Sequence, residues 1–274
     1  VDRARPGGPD GDDRCDARGG MTRLQNVFVL AIFWFSVGLG PVLAQEVKVD
    51  HQAEYGACLT LAEEVPAEAY SSGLKWFKAG GGLAARHCVA VALVGLGDHE
   101  AAATRFETLA GELAVDRIAL RAEMLGHAGQ AWLLAGRPVR ASQVQGAAIG
   151  LNPNDPALLI DRAVSLMTSQ QYPAAVADLS KAVVLAPDFA DAYLYRATAK
   201  RYLKDIGGAW IDISNSLALA PGLPAALLER GILRRLDGNI AGARMDWLTV
   251  IETAPSSAEA NAARSRIEAM DVRQ

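Results

Sequence analysis

The sequence predicts an all-α protein: an α-solenoid of helix–turn–helix repeats that ends in a C-terminal capping helix. The first observation is a proline every 34 residues, at Pro153, Pro187, Pro221 and Pro255. The second is that small residues recur in register with these prolines. The third is composition, because only 6% of the residues are aromatic while 26 are glycine. Small side chains at high density suit closely packed helices better than a β-sandwich.

Each repeat carries two small residues at fixed distances from its proline. An alanine lies twelve residues before the proline, and a glycine or alanine lies twelve residues before that alanine. We expect the two helices of a repeat to approach most closely at these small residues. The proline ends the second helix because it lacks a backbone N–H. The small positions hold Ala141, Ala175, Ala209 and Ala243, preceded by Gly129, Ala163, Ala197 and Gly231.

This period and its residues resemble the tetratricopeptide-repeat (TPR) family, in its exported bacterial form. The resemblance covers residues 122–257. It implies a right-handed α-solenoid in which the first helix of each repeat (helix A) lines the concave face and the second (helix B) lies outside. The four regular repeats are 122–155, 156–189, 190–223 and 224–257.

Both ends of the array are less regular. Residues 45–121 are predicted to form two degenerate repeats, 50–82 and 83–116, with some five extra residues near Arg117–Arg121. The C-terminal segment 258–274 is predicted to form a capping helix, about 258–270, and a tail. Ser256 or Ser257 would cap that helix, which would cover the last repeat's apolar face.

The first 44 residues are not expected to belong to the fold. Residues 1–20 are rich in Gly, Asp and Arg, and we expect a disordered or misassigned extension. Residues 21–44 combine Arg23, an apolar run from Val27 to Leu39 and small residues before Gln45, as a secretory signal peptide does. We therefore expect the protein in the periplasm. An uncleaved inner-membrane anchor is the alternative, although the run is shorter than the ~20 residues a spanning helix needs.

Two cysteines, Cys58 and Cys88, follow the signal-like segment. They fall on the A helices of the two degenerate repeats, which would stack side by side. A disulfide is plausible in an exported protein. The alternative is two small buried thiols.

A pattern of charges follows the same period. Three arginines occupy one helix A position, and three aspartates follow sixteen residues later. We expect an ion pair inside each repeat; a basic ladder for an acidic ligand would leave the aspartates unexplained. The pairs are Arg162 with Asp178, Arg196 with Asp212, and Arg230 with Asp246.

The sequence offers no site for chemistry. The net charge of −4 lacks the basic footprint of a nucleic-acid binder. The four histidines form no two-histidine helical metal motif, and the sequence contains no Cys-x-x-Cys pair or phosphate-binding loop. The adjacent pair His87-Cys88 would point about 100° apart on a helix. We therefore predict no catalytic residue, metal, cofactor or small-molecule substrate, and a protein that is not an enzyme.

The family resemblance implies ligand contacts at fixed helix A positions. They form an apolar groove whose C-terminal end is basic and aromatic, with Lys200 and Arg234 nearby, suited to an amphipathic helix or a partly acidic extended peptide. For Leu194, packing between helices is an equal alternative. Carboxylate-clamp members use asparagines where this chain has either Asp161, Tyr195 and Glu229 or Val164, Thr198 and Ile232, which argues against a chaperone-type clamp. The groove residues are Leu133, Met167, Leu194, Tyr195, Thr198, Arg201, Tyr202, Ile232 and Arg235.

The expected function is a periplasmic scaffold or adaptor that binds another protein. One alternative is a chaperone-like factor for maturing secreted proteins, resembling the TPR modules of cytochrome c assembly. Another is a non-catalytic subunit of an envelope enzyme complex. The membrane would be a partner only if residues 21–44 stay uncleaved.

Overall fold

The computed structural model describes residues 50–272, so the extension and the signal-like segment of residues 1–44 lie outside the described residues. Within this range the chain is helical and contains no strand. The helices are α1 His51–Glu64, α2 Pro66–Trp76, α3 Gly82–Gly95, α4 His99–Glu112, α5 Ile118–Leu134, α6 Pro138–Leu151, α7 Pro156–Thr168, α8 Tyr172–Leu185, α9 Ala190–Tyr202, α10 Ile206–Leu219, α11 Pro224–Leu236, α12 Ile240–Thr253 and α13 Ala258–Asp271.

Consecutive helices pack in pairs, and each pair packs on the next, which confirms the α-solenoid. The odd-numbered helices up to α11 are the A helices, and their even-numbered partners are the B helices. Most neighbouring A helices also contact one another, α3 and α5 being the exception, whereas no two neighbouring B helices among the described residues make comparable contact. The stack is therefore tighter on the A side, so the A helices line its inner, concave face.

The helix ends follow from the local sequence. Helices α6, α8, α10 and α12 each end two residues before the repeat proline. At the start of α7, the Asp155 carboxylate accepts from the backbone N–H of Ala157 at 2.9 Å. At the start of α13, Ser257 Oγ accepts from the N–H of Ala260 at 3.0 Å, so Ser257 is the cap of the final helix.

Helix α5 begins four residues before the repeat boundary that the sequence predicts at residue 122. It begins at Ile118 and runs for 17 residues, so most of the extra segment continues the helix instead of separating two units. Two contacts stabilise this added turn. Arg121 Nε donates to the carbonyl oxygen of Ala110 at 3.2 Å, and Leu120 packs against the core between α4 and α5.

A π-helical turn, Phe77–Gly81, joins α2 to α3. Gly80 has φ +93° and Gly82 has φ +55°, values that side-chain-bearing residues rarely adopt. The run Pro66–Gly95 is long and apolar enough to cross a membrane, with a mean hydropathy of 1.2. Here it bends at these glycines, and both halves pack against neighbouring helices of the solenoid.

In two repeats the small residue of helix A is a glycine that a helix B side chain approaches closely. A Cβ on Gly231 would lie 2.3 Å from Trp247 Nε1, and one on Gly129 would lie 2.3 Å from Gln145 Cγ. In the two middle repeats helix A has alanine, and the equivalent helix B position holds Leu179 or Ile213, both smaller than Trp247. The last repeat therefore requires glycine opposite its tryptophan, because the fixed separation of the two helices leaves no room for a Cβ.

We expect Gly231→Ala to lower the free energy of unfolding by about 1–3 kcal/mol, despite alanine's higher helix propensity, because Trp247 is fully buried and cannot move away. Chemical denaturation measures the loss. In a Trp247→Ile background, which reproduces the neighbouring repeat, the same substitution should cost nothing. Gly150→Ala is the matched control, since a Cβ there meets no atom within 4 Å. If Gly231→Ala stabilised the protein as Gly150→Ala should, the close approach would be wrong.

Candidate protein-binding groove

The expected groove residues lie on the A helices but differ in exposure. Leu133, Met167, Tyr195, Thr198, Ile232 and Arg235 are half-buried, while Tyr202 is 51% exposed. The ring of Tyr202 stacks on Tyr172, with 4.6 Å between the centroids and 5° between the planes. The pair forms a flat aromatic surface at the α8–α9 side of the groove.

Leu194 is not a groove residue. It is only 4% exposed and belongs to the core cluster that includes Ala226 and Leu227 of α11. Its side chain fills the space where α9 and α11 pack together, and it is therefore inaccessible to a partner.

Arg201 is also not the free cation that the sequence suggested. Its guanidinium forms a bidentate pair with the Glu229 carboxylate, with Nη2 to Oε2 at 3.3 Å. Both side chains are largely buried, at 15% and 7% exposure. The pair links helices A of two successive repeats, and its guanidinium carbon lies 4.5 Å from the Tyr202 ring centroid. Its charge is already balanced, so it positions Tyr202 instead of attracting a ligand.

The three repeated Arg–Asp pairs are present inside their repeats. Arg162 donates to Asp178 at 2.7 and 2.6 Å, and this bonding raises the pKa of the arginine. Arg196 donates to Asp212 at 2.9 and 2.6 Å. Arg230 donates to Asp246 at 3.1 and 2.7 Å. These arginines join helix A to helix B and do not form a basic ladder for a ligand.

Two of these aspartates bind a second cation, which the sequence did not predict. Lys200 Nζ lies 2.8 Å from Asp212, and Arg234 Nη1 lies 2.8 Å from Asp246. Each second cation follows the repeat arginine by four residues, so both lie on one helix face. Lys200 and Arg234 therefore belong to the interior of their repeats, whereas the sequence had placed them at the basic end of the groove.

The N-terminal part of the groove is acidic. Gln130 Nε2 donates to Asp161 at 2.8 Å across the α5–α7 contact. Burial raises the pKa of Asp161, partly offset by this hydrogen bond. Glu123 is exposed one turn before His127 on α5. The pocket here has a volume of about 360 Å³ and is lined by Ala119, Ala122, Glu123, Gly126, His127, Gln130, Asn152, Asp155, Ala157, Leu158 and Asp161.

Two histidines, His87 of α3 and His127 of α5, pack against each other within the N-terminal repeats. His87 Nδ1 is 3.0 Å from the Tyr55 hydroxyl, and its ring packs 5.6 Å from those of His127 and Phe106. Burial, with a smaller contribution from His127, lowers the pKa of His87 to about 4. The imidazole is neutral at pH 7, and its packing against aromatic rings is that of a core residue.

Cys58 and Cys88 are joined in a disulfide that links α1 to α3, with 6.1 Å between their Cα atoms. Both are buried, together with Trp76 and Ala85. Among residues 50–272, no group of three His, Cys, Asp or Glu side chains could hold a metal ion.

The C-terminal end of the groove holds two arginines, Arg235, which the sequence indicated, and Arg266, which it did not. Arg266 extends from α13 toward α11, where it lies with Arg235 in a pocket of about 280 Å³. The sequence contained no periodic signal for Arg266 because the capping helix lies outside the repeats. The pocket's other lining residues are Ile232, Leu236 and Trp247.

Comparison with known proteins supports the fold through solved structures alone. No protein-family model and no curated protein matches the chain. MamA from Desulfovibrio magneticus RS-1 is 20% identical with a TM-score of 0.54, covering 63% of this chain and 95% of that one. The Cut9–Hcn1 hetero-tetramer of the APC/C is 16% identical with a TM-score of 0.60; the match covers 79% of this chain but only 43% of the other.

YrrB, described as a TPR protein with an unusual peptide-binding site, is 17% identical with a TM-score of 0.50, covering 66% of this chain and 91% of its own. At these identities the likeness concerns the fold. With the 34-residue period, the paired helices and these neighbours, the chain has the tetratricopeptide-repeat fold.

Proposed function

We propose that this protein is an exported scaffold or adaptor that holds a segment of another protein in its concave groove. The observation that carries the proposal is the polarity of that groove. Acidic side chains, Glu123 and Asp161, lie at its N-terminal part, and two arginines, Arg235 and Arg266, lie at its C-terminal end. A groove with opposite charges at its two ends favours one direction of a bound chain.

Two further observations support the proposal. The disulfide between Cys58 and Cys88 is of the kind that persists in oxidising compartments, which fits export to the periplasm. YrrB, with the same fold, is described as having a peptide-binding site. By analogy, the A-helix face of this chain would receive a peptide or helix of its partner.

The test is affinity capture from a crosslinked bacterial envelope fraction with the chain from Gln45 onward. The groove variant is Glu123→Lys with Tyr202→Ala, because both side chains are exposed on A helices. The matched control is Glu252→Lys with Ile211→Ala, which changes exposed side chains on B helices. We expect one dominant partner that is retained by the wild type and the control, and reduced at least tenfold by the groove variant.

Other outcomes point elsewhere. A diffuse set of unfolded secreted proteins would favour the chaperone-like alternative. A partner lost by the control and retained by the groove variant would move the binding surface to the B helices and refute the groove.

A further inference from the structure

Helices α3 and α5 are the two neighbouring A helices, among the described residues, that lack the close contact seen between the others. Three aromatic rings occupy the middle of this gap: His87 of α3, Phe106 of α4 and His127 of α5, with 5.3–5.6 Å between the ring centroids. A cavity lies on each side of the rings. One is lined by the N-terminal halves of α3 and α5, and the other by their C-terminal halves.

The cavity between the N-terminal halves, called the α3–α5 cavity below, has a volume of about 300 Å³. This volume is at the lower end of the range for small-molecule sites. Arg117 and Glu123 are exposed and lie at its mouth, whereas Tyr55 and His87 contribute uncharged polar atoms to its wall. Most of the wall is apolar, and its larger side chains are Leu83, Leu109, Leu113, Leu120 and Met124.

His87 has a buried hydrogen-bonding atom without a partner. The residue lines the cavity and is only 9% exposed. Its Nδ1 lies 3.0 Å from the Tyr55 hydroxyl, but its Nε2 is buried and has no hydrogen-bond partner among the described residues. An unpaired buried polar atom is unfavourable, so a ligand atom that pairs with Nε2 would bind favourably.

The hydrogen-bonding properties of this site favour an uncharged group. Burial, with a smaller contribution from His127, holds the pKa of His87 at about 4, so the imidazole is neutral at pH 7. Its Nε2 is a donor if Tyr55 donates to Nδ1, and an acceptor if Nδ1 donates to Tyr55. A hydroxyl group suits both tautomers, whereas a carboxylate only accepts and an ammonium only donates. The opposite charges of Arg117 and Glu123 at the mouth favour neither ion.

We propose that the α3–α5 cavity binds a small uncharged molecule with an apolar body and one hydroxyl group, the class to which alkylphenols and apolar alcohols belong. The hydroxyl pairs with His87 Nε2, and the apolar body lies against Leu109, Leu113 and Met124. Tyr55 is a positioning residue, because its hydrogen bond fixes the tautomer and orientation of the imidazole. The proposal is independent of the function proposed for the concave groove.

Methionine methyl groups report on the cavity, because Met124 lines it and Met245 is exposed on α12. We would titrate the chain from Gln45 with para-propylphenol, propylbenzene and para-propylbenzoate, and record methyl NMR spectra. We expect para-propylphenol to shift the Met124 methyl signal saturably and to leave that of Met245 unchanged. Propylbenzene lacks the hydroxyl and para-propylbenzoate replaces it by a charge, so each should bind at least tenfold more weakly.

Two variants test the role of the imidazole. His87→Leu removes the ring nitrogens at a similar side-chain volume, and it should lower the affinity for para-propylphenol to that for propylbenzene. Tyr55→Phe should reduce the ratio of the two affinities severalfold without changing the affinity for propylbenzene. A merely structural role of Tyr55 would weaken both probes equally.

A third variant tests the location of the site. Ala84 is half-buried in the cavity wall, so Ala84→Phe should fill the cavity and weaken binding of every probe at least tenfold. The matched control is Ala114→Phe, at an exposed position between α4 and α5 that does not line the cavity, and it should bind as the wild type does.

Three results with the wild type would overturn the proposal, and none depends on the folding of a variant. The first is that propylbenzene or para-propylbenzoate binds as tightly as para-propylphenol. The second is that no probe shifts the Met124 signal saturably. The third is that the probes shift the methyl signals of Val94 and Leu134, which line the other cavity, and not that of Met124.

Discussion

Replacing Asp212 with alanine should lower the free energy of unfolding by about 3–5 kcal/mol. Asp212 is fully buried, and its carboxylate is shared by Arg196 and Lys200. Both cations are largely buried, at 15% and 20% exposure. Without the carboxylate, two positive charges would lie close together with no anion between them, so most of the loss is the cost of stranding them.

The matched control is Asp178→Ala at the same position of the preceding repeat. Among the described residues Asp178 has a single cationic partner, Arg162, which is 28% exposed and can turn toward water. We expect Asp178→Ala to lower the free energy of unfolding by less than half as much as Asp212→Ala. Chemical denaturation and amide hydrogen exchange in α9 and α10 measure both losses. Equal costs at the two positions would show that the second cation, Lys200, is unimportant.

Replacing all three charged residues should lower the free energy of unfolding far less than replacing Asp212 alone. A triple variant, Asp212→Leu with Arg196→Met and Lys200→Leu, replaces all three charges by apolar side chains of similar size. Such replacements of buried ion networks are often neutral or stabilising. We expect the triple variant to recover most of the stability lost by Asp212→Ala, which would separate desolvation from packing.

Features that recur with the period could be predicted from the sequence, because a repeat has the same local geometry each time. The proline spacing and small residues such as Ala163 and Gly231 indicated the helix pairs. The Arg–Asp pairs followed from the same register. Ser257 as a helix cap needed only a local rule.

Features that occur once could not be predicted in this way. The pair of Arg201 with Glu229 joins two repeats and has no equivalent elsewhere in the period, where Met167 and Tyr195 occupy the same positions. Arg266 comes from the capping helix. A leucine suits both an apolar groove and the contact between two helices, so the sequence could not decide the role of Leu194. The structure shows that it is buried.

The disulfide between Cys58 and Cys88 should stabilise the N-terminal repeats and leave the stability of the others unchanged. We expect Cys58→Ala with Cys88→Ala to lower stability by about 3–4 kcal/mol, from the loop entropy of a 30-residue separation. In a solenoid each repeat contacts only its neighbours, so the loss should appear as local opening of α1 and α2. The first of these degenerate repeats, α1 and α2, has no neighbour on its N-terminal side among the described residues, so we expect it to open before the others.

Hydrogen exchange resolves this location. The double variant should exchange its α1 and α2 amides at least a hundredfold faster, while the amides of α9 to α12 stay within a factor of two of wild type. Reduction of the wild type should reproduce the pattern, and the variant should not respond to reductant. A uniform acceleration along the chain would mean that the repeats unfold as one cooperative unit. The disulfide would then stabilise the distant groove as well, and reduction would weaken partner binding at the α11–α13 end.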